Sequence, residues 1–284
     1  RVYCGVVGGL GGGRGGVGAG AVRRPAAVGG WLTVLVVARR GGLICGFVLA
    51  ASMHFVGMAR VGRIDMVLTL VVTLILLISR ERPRVFLGGG LLGLAILLKG
   101  LIALALPVGV LGVWYLIDDG NRRGRLLGLA AMTAVGVGLA FPWFWTANER
   151  TGGEFVRSFF WHHHFQRAFG GSDSLAAHPW WFYGPRFLID FLPWTPLLLW
   201  LAIRARDCSR EERFAIVWFA VMFGLLSLSR FKRSDYLLPA FPAAALWLGS
   251  RLGGERRGVS PPWKFQPPPP RADAPTLATW YPRI

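Results

Sequence analysis

The sequence predicts an all-α protein, a polytopic bundle of transmembrane helices, and three observations predict it. Apolar residues make up 54% of the 284 and charged residues only 16%, outside the usual composition of a soluble domain. The apolar residues come in blocks. The arginines behind the net charge of +18 sit in short connections between those blocks, not in one stripe on a soluble fold. That placement fits membrane topology, and no nucleic-acid partner is expected. Cys4, Cys45 and Cys208 are odd in number and form no CxxC, so they imply neither a disulfide framework nor a metal site.

Residues 1–23 are glycine-rich, lack an apolar signal core, and read as the disordered edge of a fragment. The run Pro25 to Ala38 covers about 21 Å at 1.5 Å per residue, short of the roughly 30 Å hydrocarbon core. Eight further helices are expected over Gly42 to Ala59, Ile64 to Ser79, Val85 to Leu98, Leu101 to Ile117, Leu126 to Trp145, Phe187 to Ile203, Phe214 to Leu228 and Tyr236 to Gly249. Residues 24–250 thus form the transmembrane domain, with one long loop over 147–186. Residues 251–284 carry SPPWKFQPPPP, too dense in proline to continue a helix, and read as an extended tail.

Arginine clusters set the orientation, because Lys and Arg in short loops stay on the cytoplasmic side. Every second connection is basic: Arg39-Arg40, Arg80 to Arg84, Arg122 to Arg125, Arg204 to Arg213, and Arg251 to Arg257. This alternation requires two crossings between Val85 and Ile117, with Lys99-Gly100 as the turn. A charge at the bilayer centre costs about 2.5 to 3.5 kcal/mol on insertion scales, so Lys99 belongs at an interface. The opposite face then collects Arg60, Arg63, Asp65, Lys99, the 147–186 loop and Arg230 to Asp235. Basic residues on the side that topology depletes of charge suggest an anionic ligand there.

Four constellations on that face carry possible chemistry. In RVGRIDMVLTL, Asp65 opens a helix, either as an N-terminal cap paired with Arg63 or as a group that orients an acceptor or a cation. In WHHHFQRAF, the histidines suit either an interface or a divalent metal, and the planar fork of Arg167 suits bidentate phosphate contact or lipid headgroups. The tryptophans of HPWWFYGPRFLIDFLPW read first as an aromatic belt, though paired tryptophans also stack on sugars. In SRFKRSDYLLPAFPAAALWLG, Arg230, Lys232 and Arg233 form either a helix-boundary anchor or a phosphate site.

The ordered segments RIDM, LLKGLIALALP, FFWHHHFQRAF, HPWWFYGPRFLIDFLPW and SRFKRSDYLLPAFPAAA resemble the bacterial lipid A aminoarabinose transferases and related glycosyltransferases of the protein O-mannosyltransferase superfamily. The resemblance covers roughly residues 24 to 250. It implies the GT-C membrane fold, a polyprenyl-phosphate-linked sugar as donor, and a lipid A-like or other envelope acceptor. Transfer is expected on the extracytoplasmic face of the bacterial inner membrane. Carried over by motif, Asp65 is a catalytic-cavity acid and Arg167 a donor-phosphate ligand, with Lys99 of the KG turn, Lys232, Tyr236 and Arg63 beside it. His162 matches a histidine near a divalent metal site.

The resemblance also places the family's first helix and its acidic outer loop ahead of Arg1, and implies later helices and a C-terminal domain in whose place this sequence has the proline-rich tail. The chain is therefore expected to be truncated, without the principal catalytic carboxylate, and inactive alone. The cations would stabilise charge growing on the departing polyprenyl phosphate, and Asp65 would accept a proton from a hydroxyl acceptor. A rival reading is a transporter or flippase that binds an anionic headgroup. Broken helices and mid-helix charges would favour it, and neither is clear in the sequence. A noncatalytic scaffold is the third.

Overall fold

The computed structural model describes residues 19–154, 178–205, 207–229 and 232–253. Eleven α-helices follow one another among them. The first seven are α1 (Ala19–Gly41), α2 (Leu43–Ala50), α3 (Met53–Arg60), α4 (Ile64–Ser79), α5 (Val85–Lys99), α6 (Leu101–Ile117) and α7 (Arg122–Arg150). After a 3-10 turn at Trp180–Phe182 come α8 (Tyr183–Asp190), α9 (Thr195–Arg204) and α10 (Arg210–Leu228). A 3-10 segment, Ser234–Ala240, leads into α11 (Phe241–Leu252).

Where the sequence alternates between apolar run and basic connection, helices and turns fall as expected. Ile64–Ser79 and Leu101–Ile117 keep their expected bounds, and Val85–Lys99 gains one residue. Gly100, at φ 73°, makes the turn between α5 and α6, a left-handed conformation that favours glycine. Local chemistry fixes other ends. Asn121 accepts from Gly124 N at 3.0 Å to start α7, and Ser209 with Glu212 forms a reciprocal capping box at the start of α10.

Five expectations are corrected. The run Pro25 to Ala38 is the middle of a longer helix, α1, whose 23 residues measure about 34 Å. Helix α7 extends beyond Leu126 to Trp145 at both ends, and reaches Arg150. The expected helix Gly42 to Ala59 is broken after Ala50 and bent by 67°. The expected helix Phe187 to Ile203 is likewise two pieces, α8 with its preceding turn and α9, at 112°. Pro193 lies in this second break, where its missing N–H and ring clash stop a helix, and Pro196 lies in the first turn of α9, where proline is tolerated. The last expected helix begins as the 3-10 segment, whose Pro239 lies just ahead of α11.

Helix α7 is long and apolar enough to cross a membrane, and each bent pair is so when taken as one span. Helices α4, α5 and α6 are apolar but shorter, at 16, 15 and 17 residues. Large apolar side chains such as Leu43, Phe86 and Ile203 point outward, an exposed surface that suits lipid. Inside lie Trp114, Tyr115, Tyr183, Phe214 and Trp218. Helices α5 and α7 approach at backbone distance: a Cβ on Gly89 would meet Val135 Cγ1 at 2.7 Å, and one on Gly136 would meet Gly89 O at 3.1 Å. Without a hydrophobic driving force between helices in lipid, such small-residue contacts carry packing.

Candidate functional site at one end of the bundle

Helices α4 and α5 run antiparallel, so the start of one meets the end of the other. Asp65 lies in the first turn of α4 and is buried. The N-cap position belongs to Arg63, and no side chain caps this helix, so the capping role considered for Asp65 is not the one it plays. Asp65 instead forms an ion pair with Lys99 Nζ, brought by the last residue of α5. Lys99 also sits 4.2 Å from the centre of the Tyr236 ring, within cation–π range. Two sequence-predicted groups, the KG-turn lysine and the tyrosine before the last helix, thus share one carboxylate's surroundings.

The pairing of Arg63 with Asp65 is corrected too. Arg63 Nη1 pairs with Asp235, which also accepts from Arg233 Nη2 at 3.2 Å and from Ser234 Oγ at 3.1 Å. At the base of a helix the side chain of residue 63 projects away from residue 65, and the 3-10 segment supplies the nearer acid. Asp235 is the residue that motif reasoning left without a role, although it stands inside SRFKRSDY.

Lys232 is buried and donates from Nζ to the backbone carbonyls of His178 and Ser229, the first at 3.1 Å. Its burial pushes the ammonium below its ordinary pKa, because the charged form loses hydration. Lys232 therefore fastens the start of the 178–205 segment to the end of α10. The His178 ring stacks on Phe182 at 4.2 Å, and Tyr183 behind it is fully buried against Phe223. Trp180 and Trp181 are exposed, as an aromatic belt requires.

Arg167 and His162 lie outside the described residues. Among the described residues no three His, Cys, Asp or Glu side chains converge to hold a metal, and Asp65 and Asp235 are both taken up by cations. The described part of the site therefore does not fit a metal ion.

What remains is a cluster of three cations, Arg63, Lys99 and Arg233, against two carboxylates, Asp65 and Asp235, with Lys232 held by backbone carbonyls. A surplus of positive charge at the end of an apolar bundle attracts and orients an anion, more strongly where water is excluded. An aromatic face over one cation restricts where that anion can approach.

Comparison with known proteins identifies the fold and the family. The chain is 33% identical over 227 residues to an undecaprenyl phosphate-α-4-amino-4-deoxy-L-arabinose arabinosyl transferase of Pseudomonas aeruginosa (strain LESB58), covering 75% of this chain and 40% of that protein. A Pseudomonas fluorescens (strain Pf0-1) protein of the same description is 34% identical over 184 residues, covering 62% of this chain and 32% of the relative. The chain thus spans well under half the length of these relatives. The crystal structure of ArnT from Cupriavidus metallidurans bound to undecaprenyl phosphate superposes with a TM-score of 0.70 at 29% identity, over 87% of this chain and 48% of that one. The apo ArnT structure gives 0.69 at 28% identity. The fold expected from the resemblance, an all-α GT-C membrane bundle, is the fold found. Residues 21–231 match Glycosyltransferase family 87, and the chain belongs to that family.

Proposed function

We propose that the chain works in a membrane glycosyltransferase that moves a sugar from a polyprenyl-phosphate donor to a lipid A-like or other envelope acceptor. The reaction would take place on the extracytoplasmic face of a bacterial inner membrane. The observation that carries this reading is the surplus of cations around Asp65, at the end of the bundle away from the arginine-rich connections. The names of the relatives and the undecaprenyl phosphate bound to ArnT support the donor class.

In this reaction the bond between the sugar's anomeric carbon and the donor phosphate oxygen breaks, and an acceptor oxygen takes its place. Negative charge then collects on the departing polyprenyl phosphate, where Lys99, Arg63 and Arg233 would hold it. The half-buried Tyr236 ring, with Lys99 over it, would restrict how the phosphate approaches Lys99. Asp65 would take the proton when the acceptor is a hydroxyl and would only orient the acceptor when it is a phosphate. Arg167 is proposed as a further donor-phosphate ligand on its motif, and His162 as the residue nearest any divalent metal. Lys232 has one ammonium proton left for a phosphate after its two carbonyl contacts, so its main contribution is to hold the segment in place. The division into a glycine-rich edge, a transmembrane domain and a proline-rich tail, expected at 1–23, 24–250 and 251–284, is proposed on the same footing, with its bounds moved outward to keep α1 whole from Ala19 and α11 whole to Leu252.

The test is transfer from a polyprenyl-phosphate sugar to lipid A by the membrane-embedded protein. Lys99→Met is expected to slow it by at least about 100-fold, the scale for losing one group that stabilises developing charge. Arg167→Ala should abolish transfer with the protein still in the membrane. Unchanged rates in both variants overturn the reading.

A second reading is favoured by one observation, the two broken helices, since broken helices also build transporter sites. A flippase would move a fluorescent polyprenyl phosphate across proteoliposomes without any sugar transfer. Transfer without flipping discards it.

A further inference from the structure

The breaks in the two bent helices lie against each other. Met53, the first residue of α3, donates its N–H to Leu192 O at 2.9 Å, joining the α2–α3 break to the α8–α9 break. Beside this bond, His54 Nδ1 faces Asp190 Oδ1 at 3.6 Å, with the two side chains only 11% and 8% exposed. Asp190 Oδ2 accepts from Arg186 Nε at 2.7 Å, one turn earlier on α8. The imidazole lies 5.8 Å from the Phe241 ring, and Phe187 and Phe191 pack on that same ring. A carboxylate and an imidazole inside an aromatic nest are expensive in an apolar bundle and call for a specific task. None of these three side chains takes part in the cation cluster.

We propose that His54, Asp190 and Arg186 form a polar clamp that positions the cation cluster by fastening α3 to α8 at their breaks. This rests on the reading of that cluster as a phosphate site. Helix α3 ends at Arg60, three residues before Arg63. Helix α8 begins at Tyr183 and packs against the 3-10 segment that carries Asp235 and Tyr236. Because each arm is bent away from its neighbouring helix, by 67° or 112°, a regular helical ladder does not by itself set its direction. An eight-residue arm is about 12 Å long, so a rotation of roughly 5° at the break shifts its far end by about 1 Å. A misplacement of that size at a reacting centre is enough to cost about 100-fold in rate. His54 is a positioning residue here, since it acts through Asp190 and not on the phosphate.

The experiment measures the affinity of the membrane-embedded protein, in lipid nanodiscs, for a fluorescent polyprenyl phosphate probe, alongside its thermal midpoint. His54→Leu and Asp190→Asn are each expected to weaken binding about tenfold, and the double variant to bind no worse than either, as for residues acting as one unit. His54→Asn, whose amide N–H can occupy the position of Nδ1, is expected to bind within about threefold of wild type. Wild-type affinity in His54→Leu, an Asn variant as weak as the Leu one, or losses that multiply in the double variant each overturn the clamp. A wild type that does not bind the probe overturns the functional reading instead.

Discussion

The two ends of the bundle use charge in opposite ways. At the end with the arginine-rich connections, Asp118 accepts from Arg210 Nε and Nη2 at 2.8 and 2.7 Å and from Arg125 Nη1 at 2.8 Å. Arg210 also reaches Glu81 at 2.9 Å, Arg80 pairs with Glu211, and Arg251 pairs with Glu212. Four arginines meet four acids, and the Trp114 and Phe214 rings flank Arg80. In this network each of the four acids is paired with an arginine from another connection or helix, which ties the connections together. At the Asp65 end three cations meet two acids, on the ends of α4 and α5, on the 3-10 segment, and on residues just before α4 and that segment. Here the pairing is unequal, and positive charge stays available for an anion.

The comparison can be broken most severely at Lys99. Lys99→Ala leaves Asp65 buried without its cation, which costs about 3 to 5 kcal/mol when one partner of a buried pair is removed. The thermal midpoint should fall, and probe binding should fall with it. Adding Asp65→Asn should restore most of the midpoint and none of the binding. Restoration of both would mean that Lys99 only neutralises Asp65.

Arg210→Ala should act on stability alone. It removes two of the three hydrogen bonds to the buried Asp118 carboxylate, worth about 1.5 to 3 kcal/mol for bonds to a charged group, and leaves polyprenyl phosphate affinity within about twofold. A large loss of binding would show that the two ends are coupled.

The same carboxylate gives the arginine-rich end a pH signature. Hydrogen bonds from Arg210, followed by those from Arg125, hold Asp118 down to about 2 from its ordinary 3.8. A depressed carboxylate contributes stability that is present above about pH 4 and lost as pH falls towards 2. The midpoint of the wild type should therefore drop across that window, and Arg210→Ala should flatten the drop. An equal drop in both would remove Arg210 as its cause.

The smallest effect belongs to Arg233, whose side chain is 54% exposed. Arg233→Ala should change stability by about 0 to 1 kcal/mol, as exposed ion pairs do, while probe binding weakens by about threefold. A larger stability loss would make Asp235 depend on Arg233 more than on Arg63.

Much of the fold was legible because lipid imposes a simple code. Blocks of apolar residues must be helical, and arginines must gather on one side, so Ile64–Ser79 and Leu101–Ile117 could be bounded without any contact information. The breaks were not legible in the same way. Ala51-Ser52 carries neither glycine nor proline, and the bend there depends on the Met53–Leu192 hydrogen bond and on what packs around it. At the site, Asp65, Lys99 and Tyr236 could be named from their motifs, and the structure brings the three together. Their partners could not be named. Adjacency in RIDM pointed Arg63 at Asp65, whereas the folded chain gives Arg63 to Asp235 from a segment 172 residues away.

By itself, the sequence determined that the chain is helical and apolar, which connections are basic, and which face gathers the unusual charges, because hydropathy and topology act residue by residue. Only the tertiary structure decided which cation serves which carboxylate and which groups stay in surplus. Ion pairing depends on separations of a few ångströms between distant segments, and those separations exist only once the helices, including the two broken ones, have packed.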